Sequence, residues 1–350
     1  MIFSICIPTF NRRESLDNCL NSIFISNQYV SDFKYEICIS DNCSSDDVSS
    51  VIKKYSHTLD IKFNKNNKNL GFALNALKSV SMAKGKFAWM IGNDDLLLPQ
   101  TLLKIKSLIL ENPEVDYFFA NSYYLNSNFL DSFPKPFDTK YLQYDSMKRV
   151  SQLQNNKNVK FWEIIDPKVS WEFLIGIFLS IFNRQKWEDH KNVLNYEDLK
   201  DTRPWSNFDN TCIHPKILST AFKNSKSYIS SEPLSINLIG EREWFNLYEF
   251  IEIVRIPELL DYYRKQGLGL FKYWYCKNYS LRNFLNFFFK ILIRGDKAGL
   301  GYINFNKHIL KNLLYPNVYM SLIYFIGRSF NKVFKNLIKL IFLLQAELVL

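Results

Sequence analysis

Residues 86–99 have the sequence KFAWMIGNDDLLLP, an apolar run that ends in a polar turn with two acids. The run from Lys86 to Ile91 is short and rich in large apolar side chains, which is typical of a buried β-strand. Pro99 stands at a favourable first position for a helix, and we expect that helix to continue to Asn112. A buried strand, a polar turn and a helix in this order predict part of an α/β fold.

The same alternation extends over the first 120 residues. Further strands are predicted at 2–7, 35–40, 61–63 and 115–119, and apolar residues at helical spacing follow the first three of them. Strands that alternate with helices imply right-handed crossovers and a mostly parallel sheet with helices on both faces. We therefore predict an α/β domain with a mostly parallel, Rossmann-like sheet.

The composition is that of a folded chain. Of the 350 residues 47% are hydrophobic and 22% are charged, which excludes a disordered or collagen-like protein. The six cysteines form no CxxC pair and no histidine stands at zinc-ligand spacing, so a reducing compartment is favoured. The N-terminus lacks a signal-peptide pattern, and no apolar run has the roughly 18 residues of a membrane span. These features predict a soluble or peripheral protein.

Charge and composition predict three regions, residues 1–120, 121–262 and 263–350. The middle region is rich in aromatic and acidic residues, and its apolar segment Trp171 to Phe182 fits either a strand or a helix. From Arg264 onward there are fourteen lysines and arginines against two acids, whereas the preceding residues are close to neutral. The basic character of the protein therefore belongs to its C-terminal region.

Three polar clusters follow predicted strands. They are TFNR at 9–12, DN at 41–42 and GNDD at 92–95. The carboxyl ends of parallel strands share one edge of a sheet, where open α/β sheets bind their ligands. We therefore expect the three clusters to converge on one site.

Each acidic cluster also has a simpler explanation. Asp94 and Asp95 could cap the following helix, and the segment from Asp41 to Asp46 could be a polar turn leading into a helix capped by Ser45 or Asp46. Functionally, paired carboxylates suit Mg²⁺ or Mn²⁺, and Asp41 could accept a hydrogen bond from a nucleobase. Neither GxGxxG nor GxxxxGK[ST] occurs, which argues against a dinucleotide-binding dehydrogenase and a P-loop NTPase.

Four segments resemble the successive motifs of the family 2 glycosyltransferases of GT-A fold. In chain order they are SICIPTFNR at 4–12, ISDNCSSD at 39–46, NLGF at 69–72 and GNDDLLLP at 92–99. The resemblance is clear over residues 1 to 120 and weak to about 260. It implies a GT-A domain with a donor-binding half at 1–120 and an acceptor-binding half at 121–262. The resemblance is absent beyond, where composition and charge predict a basic, mostly helical extension at 263–350.

The resemblance also implies roles for individual residues. Thr9 and Asn11 would line the nucleoside pocket, and Asp41 would accept from the base. Asp94 and Asp95 stand at the DxD motif, with Asn93 in place of its first acid. Asp95 would then be the direct ligand of Mn²⁺ or Mg²⁺, and Asp94 would contact the ribose or the metal through water. The remaining residues expected at the donor are Pro8, Arg12, Asn42, Asn69, Gly71 and Asn75, the last near an arginine position of many family members.

The implied chemistry is transfer of a sugar from a nucleotide diphosphate to an acceptor hydroxyl, with inversion at the anomeric carbon. A carboxylate would remove the hydroxyl proton as attack proceeds. The sequence offers Asp209, which we prefer for its spacing from residues 178–184, or the pair Glu197 and Asp198. His214 could assist at the acceptor, and Trp205 could stack on a sugar.

The C-terminal region carries an amphipathic pattern. Seven apolar residues recur at helical spacing between Phe330 and Phe342, and Lys332, Lys335 and Lys339 fall on the opposite side. Such a helix could pack on the catalytic domain or lie on an anionic membrane, and the charge favours the membrane. No nucleic-acid-binding motif occurs, so nucleic acid is not an expected partner.

These features together predict a glycosyltransferase that is peripheral on the cytoplasmic face of the inner membrane. Its acceptor would be a lipid-linked glycan of O-antigen, lipopolysaccharide or capsule biosynthesis. Two alternatives remain open from the sequence. One is a polyprenyl-phosphate glycosyltransferase, and the other is a catalytically inactive module that binds sugar nucleotides or membranes.

Overall fold

The computed structural model describes residues 2–144, 147–240 and 245–323. Strands and helices alternate along its first part as predicted. The elements up to residue 126 are β1 (Phe3–Thr9), α1 (Arg13–Asn27), β2 (Tyr35–Asp41), α2 (Val48–Tyr55), β3 (Ile61–Lys65), α3 (Gly71–Ser81), β4 (Phe87–Met90), β5 (Leu96–Leu97), α4 (Thr101–Glu111) and β6 (Tyr117–Asn126). The helix predicted from Pro99 begins at Thr101, and the short strand β5 was not predicted.

The middle of the chain combines short helices with three short strands and one long strand. In order these are β7 (Lys148–Arg149), β8 (Lys157–Lys160), α5 (Phe161–Ile164), β9 (Ser180–Asn183), α6 (Arg184–Asp189), α7 (Tyr196–Leu199), α8 (Phe208–Thr211), α9 (Ile213–Ala221) and β10 (Lys226–Ile239). The ambiguous segment Trp171 to Phe182 consists of turns, a short 3-10 helix at Ile177–Leu179 and the first residues of β9. Its apolar character reflects burial within the sheet and its loops rather than one regular element.

One sheet joins the two halves, in the strand order β3-β2-β1-β4-β9-β6-β10-β5. The pairs β2–β3, β1–β2, β1–β4 and β6–β10 are parallel, whereas β9 runs antiparallel to both β4 and β6. The predicted α/β class with a mostly parallel sheet is confirmed. The antiparallel insertion of β9 was not predicted, because nothing in its own four residues specifies direction.

The strands at the centre of the sheet are buried on both faces. All seven residues of β1 are buried, and every residue of β4 is buried as well. Parallel strands covered by helices on both sides have nearly continuous apolar sequences, which is the pattern of residues 2–7. Trp89 is fully buried on β4, and its indole N–H donates to the Phe178 carbonyl at 2.8 Å.

The chain divides into two compact units. The first unit comprises Met1–Phe245 and Asp261–Gly269, and it contains the whole sheet. The second unit comprises Asn246–Leu260 and Leu270–Leu350, of which the structure describes residues up to 323. Elements after the sheet are α10 (Tyr248–Phe250), α11 (Ile256–Gln266), α12 (Leu270–Ser280) and α13 (Phe284–Arg294).

The second unit buries several acids against basic partners. Glu249 pairs with Lys290 and Arg294 at 3.3 and 3.2 Å, and Glu258 pairs with Arg255 at 2.6 Å. In the described part of the chain no helix is long and apolar enough to cross a bilayer. The amphipathic helix predicted between Phe330 and Phe342 lies outside the described residues.

Candidate active site

The three polar clusters that follow predicted strands converge at one edge of the sheet. Thr9, at the end of β1, is in register with Asp41 at the end of β2. The turn after β4 reaches the same place, because the Asn93 side-chain amide donates to the Thr9 hydroxyl at 2.8 Å. Arg12 and Asp94 form an ion pair at 3.5 Å across this edge. The predicted convergence of the clusters is confirmed.

Asp41 is fully buried at this edge. Its Oδ1 accepts hydrogen bonds from the Ser44 backbone N–H and the Ser44 hydroxyl. Its Oδ2 has no hydrogen-bond partner among the described residues, and the Lys65 ammonium lies 4.0 Å away. A buried acceptor without a donor loses stabilisation, so an N–H of a bound molecule would be favourable at this oxygen.

Asparagine side chains hold the loops around Asp41. The Asn11 side-chain oxygen accepts from the Ser45 backbone N–H at 2.8 Å, and the Asn42 amide donates to Asn69 at 2.7 Å. The residue that caps α2 is Asp47, which accepts from Ser50, so the expectation that Ser45 or Asp46 caps this helix is wrong. Asn11, Asn42 and Asn69 therefore shape the edge as well as lining it.

Gly71 begins α3 beside these loops. Its backbone has φ +80, a left-handed conformation that residues other than glycine rarely adopt. Its N–H donates to the Asn69 side-chain oxygen at 2.8 Å, and a Cβ here would lie 3.2 Å from Cα of Thr202. The positive φ therefore favours glycine, and a larger residue would also require Thr202 to shift slightly.

Asn75 is buried beneath the site. Its amide nitrogen donates to the carbonyls of Thr9 and Ser40, and its oxygen accepts from the Ser40 hydroxyl and from Asn66. Both ends of the side chain are therefore used in joining the ends of β1 and β2. The structure gives Asn75 a positioning role, and its direct contact with a donor remains a prediction.

The two acids after β4 lie in different environments. Asp95 is 1% exposed, and its two oxygens accept from the Gly92 N–H at 2.6 Å and from the Asn237 amide at 2.7 Å. The side chain of Asp94 is 23% exposed beside Arg12. Neither acid caps α4, whose N-cap residue is Gln100 and makes no side-chain cap hydrogen bond, so the capping explanation is wrong.

A metal site is not preformed in this region. No group of three or more His, Cys, Asp or Glu side chains could hold an ion in the ranges 2–144, 147–240 and 245–323. Mg²⁺ is commonly held by one or two carboxylates together with substrate phosphates. The adjacent carboxylates of Asp94 and Asp95 fit that second arrangement.

The three candidates for the catalytic base lie on α7 and α8. Asp209 is buried and accepts from the Lys216 ammonium and from the Asn195 N–H. Glu197 and Asp198 are exposed on the first turn of α7, where Glu197 pairs with Lys200. Asp209 therefore already has its charge compensated by a buried lysine.

His214 is also engaged. Its Nε2 lies 2.9 Å from the Leu174 carbonyl, and burial lowers the pKa of the imidazole to about 4. The ring is therefore neutral at physiological pH, with Nε2 as the donor. This contact gives His214 a positioning role for the segment between α5 and β9.

Sequence reasoning did not single out Asn237, Tyr124 or Glu172. Asn237 on β10 is in register with Tyr124 on β6, and it contacts Asp95 over 142 positions of sequence. The Tyr124 hydroxyl donates to Glu172. No local signal singles out Asn237, because β10 carries several other polar residues, and Tyr124 and Glu172 carry none either.

Part of the chain matches known proteins in sequence. Residues 4–164 match the family model for glycosyl transferase family 2. Over 111 residues the chain is 40% identical to abequosyltransferase RfbV of Salmonella typhimurium, a match that covers 31% of this chain and 33% of that protein. Over 113 residues it is 26% identical to the poly(ribitol-phosphate) beta-N-acetylglucosaminyltransferase TarS of Staphylococcus aureus, covering 32% of this chain and 19% of TarS.

A solved structure extends the likeness in fold. The crystal structure of S. aureus TarS 1–349 in complex with UDP superposes with a TM-score of 0.55, covering 82% of this chain and 72% of that one. The identity is 16%, so this likeness concerns the fold alone. The matched segment spans a third or less of the full length of these two curated relatives.

Proposed function

We propose that this chain, which contains a glycosyl transferase family 2 domain over residues 4–164, is an inverting glycosyltransferase. It moves a sugar from a nucleotide-diphosphate donor to a hydroxyl of a lipid-linked glycan of O-antigen, lipopolysaccharide or capsule biosynthesis. The observation that carries the proposal is the meeting of Asp41, Thr9 and the Asn93 to Asp95 turn at one sheet edge. The similar proteins RfbV and TarS are named as sugar transferases, which supports a glycan or a related polymer as the acceptor.

Asp41 would bind the base of the donor. Its Oδ2 lacks a donor among the described residues, and the N3–H of uracil or thymine, or an N–H of guanine, could supply one. Lys65 adds a cation 4.0 Å from that oxygen, suited to a carbonyl of the same base. Pro8, Thr9 and Asn11 complete the nucleoside side of this edge. The UDP complex of TarS makes UDP the first nucleotide to test.

Asp94 and Asp95 would hold Mn²⁺ or Mg²⁺ at the diphosphate. When bound, such an ion neutralises charge on the leaving diphosphate. The hydrogen bonds that Asp95 accepts from Gly92 and Asn237 favour Asp94 for the direct contact, with Asp95 behind it. Arg12 lies beside Asp94 and supplies a second positive charge at the same position.

A carboxylate would accept the proton of the attacking hydroxyl. Asp209, Glu197 and Asp198 remain predictions for this role. The ion pair of Asp209 with Lys216 supports a structural role for Asp209, because a buried lysine already compensates its charge. The exposed position of Glu197 and Asp198 on α7 leaves them open to solvent, where a base gains little from its surroundings.

The second unit would bind the cytoplasmic face of the inner membrane. Large apolar side chains are exposed on its helices, with Phe271 at 91% and Ile293 at 84%. Phe289, Leu292 and Ile293 follow helical spacing on one side of α13. An apolar face combined with the excess of lysine and arginine after Arg264 suits an anionic bilayer surface. Such a location would bring the enzyme to a lipid-linked acceptor.

Nucleotide binding by the full chain tests the donor site. Thermal unfolding is measured with UDP, GDP, CDP and dTDP, with and without Mn²⁺, for the wild type and for Asp41→Asn and Asp94→Asn. A ligand that binds only the folded state raises its stability by about 2.7 kcal/mol at a hundredfold excess over Kd. We expect one nucleotide to raise the melting temperature, a smaller rise in Asp41→Asn, and loss of the Mn²⁺ effect in Asp94→Asn.

Asp131→Asn is the matched control, because this acid is 74% exposed and pairs only loosely with Lys135, at 3.9 Å. It should respond to nucleotides as the wild type does. Equal responses of all four proteins would contradict the assignment of Asp41 and Asp94. Absence of any response in the wild type would contradict donor binding itself.

A further inference from the structure

The residues after Glu172 adopt an unusual backbone conformation. Phe173 and Leu174 are consecutive residues with φ 48 and 72, in the left-handed region that residues other than glycine seldom occupy. Both side chains are buried in the core of the first unit. Strained residues of this kind persist only where the surroundings enforce them, and they cluster at functional sites.

Two buried side chains enforce this conformation. The Tyr263 hydroxyl donates to the Phe173 carbonyl at 2.8 Å, and His214 Nε2 contacts the Leu174 carbonyl at 2.9 Å. Tyr263 lies on α11 and His214 lies on α9, and both residues belong to the first unit. The strained turn is thus held at two successive carbonyls from two separate helices.

Glu172 directly precedes the strained turn. Oε1 of Glu172 accepts from the Tyr124 hydroxyl. Oε2 lies against Gly176, where an added Cβ would come within 2.5 Å of this oxygen, so a larger residue there would push the Glu172 carboxylate aside. Glu172 as a whole residue is 9% exposed.

Tyr124 links Glu172 to the donor edge. It is in register with Asn237 on the neighbouring parallel strand, so the two side chains leave the same face of the sheet about 4.8 Å apart. Asn237 donates to Asp95 at 2.7 Å. Asn237 therefore connects this face of the sheet to Asp95, and Tyr124 connects the same face to Glu172.

We propose that Glu172 is the carboxylate that receives the proton of the acceptor hydroxyl, an assignment that rests on the proposed function. The acceptor oxygen forms a bond to the anomeric carbon of the donor sugar. The bond from that carbon to the diphosphate oxygen breaks, and its electron pair leaves with the diphosphate. The hydroxyl proton passes to Glu172 and from there to water.

The test compares Glu172→Gln and Glu172→Asp with the wild type. The full chain is assayed for nucleoside diphosphate release from UDP-N-acetylglucosamine, GDP-mannose, dTDP-glucose and CDP-glucose, with octyl glycosides as acceptors. We expect Glu172→Gln to lower kcat by a hundredfold or more, within the range for a lost general base, with an unchanged donor KM and nucleotide thermal shift. Glu172→Asp keeps a carboxylate one methylene further back and should lose about tenfold.

Glu232→Gln is the control, an exposed acid paired with Lys104 that should keep wild-type turnover. Wild-type kcat in both Glu172→Gln and Glu172→Asp would overturn the assignment while leaving the proposed function intact. A wild-type protein with neither a nucleotide thermal shift nor turnover would overturn the proposed function, and this assignment with it.

Discussion

At the scale of single residues, the carboxylates of the first unit differ chiefly in what compensates their charge. Asp95 accepts neutral N–H groups, Asp94 meets the partly exposed Arg12, and Asp209 meets the buried Lys216. Burying a charge is costly unless a partner is present, and removing one partner leaves the other charge uncompensated. The same substitution at different carboxylates should therefore have different effects on stability.

Lys216→Met should destabilise the protein strongly. Its side chain is 8% exposed, and the ammonium lies over the rings of Phe208 and Tyr262 at 5.7 and 5.4 Å, so its loss leaves the buried carboxylate of Asp209 without this counter-charge. We expect the free energy of unfolding to fall by about 3 to 5 kcal/mol, measured by urea denaturation.

The double variant Asp209→Asn/Lys216→Met serves as the control for this prediction. It removes both charges and should recover part of the stability lost in Lys216→Met. Unchanged stability in Lys216→Met would contradict a structural role for the ion pair. The result also decides how a loss of activity in Asp209→Asn is interpreted, because instability alone could cause it.

At the scale of elements, the turn before α3 connects fold and site. Gly71 combines a positive φ with a close approach to Thr202, and its N–H joins the Asn69 and Asn42 network beside Asp41. Any Cβ at this position strains the turn and displaces the segment around Thr202. Stability and nucleotide binding should therefore change together.

Gly71→Ala should lower the free energy of unfolding by more than 1 kcal/mol and weaken the nucleotide thermal shift. Two other glycines separate the causes. Gly295 has φ +64 but open space around it, and Gly269 has neither a positive φ nor a neighbour within 4 Å. Urea denaturation should rank the losses as Gly71→Ala, then Gly295→Ala, then Gly269→Ala. An equal loss at Gly71 and Gly269 would contradict this explanation.

At the scale of the whole molecule, the excess of positive charge and many of the large exposed apolar side chains lie after residue 263. Large exposed apolar residues occur in α12, in α13 and between residues 305 and 323. Soluble proteins rarely expose much contiguous apolar surface unless it binds a partner or a membrane. An anionic bilayer would match both the apolar and the basic components.

Full-length protein should sediment with vesicles that contain phosphatidylglycerol and not with pure phosphatidylcholine. Binding should weaken as salt rises from 0.05 to about 0.5 M, because screening reduces the attraction of lysines and arginines. Phe271→Ser/Ile293→Ser should weaken binding at least tenfold, since each side chain contributes about 1.5 to 3 kcal/mol when buried.

Leu103→Ser is the control for the vesicle experiment. Leu103 is 41% exposed on α4 in the first unit, away from the basic region in sequence. It should sediment as the wild type does. Equal sedimentation of the wild type with neutral and anionic vesicles would remove the electrostatic part of this proposal.

The sequence by itself determined the α/β class, the first strands and helices, and the clusters at the ends of β1, β2 and β4. These features depend on local periodicity and on the rule that parallel strands end at one edge, so short segments are sufficient to predict them. The family motifs added predicted roles for Asp41, Asp94 and Asp95 in the same local segments.

Only the tertiary structure decided which distant residues complete the site. Sheet register decides the antiparallel direction of β9 and the contact of Asn237 with Asp95. Helix packing decides the pairing of Lys216 with Asp209 and the contact of His214 with the Leu174 carbonyl. The Asn237 contact spans 142 positions and the Tyr124 contact spans 48. Such pairings follow from how whole elements pack together, and no local pattern in one sequence specifies them.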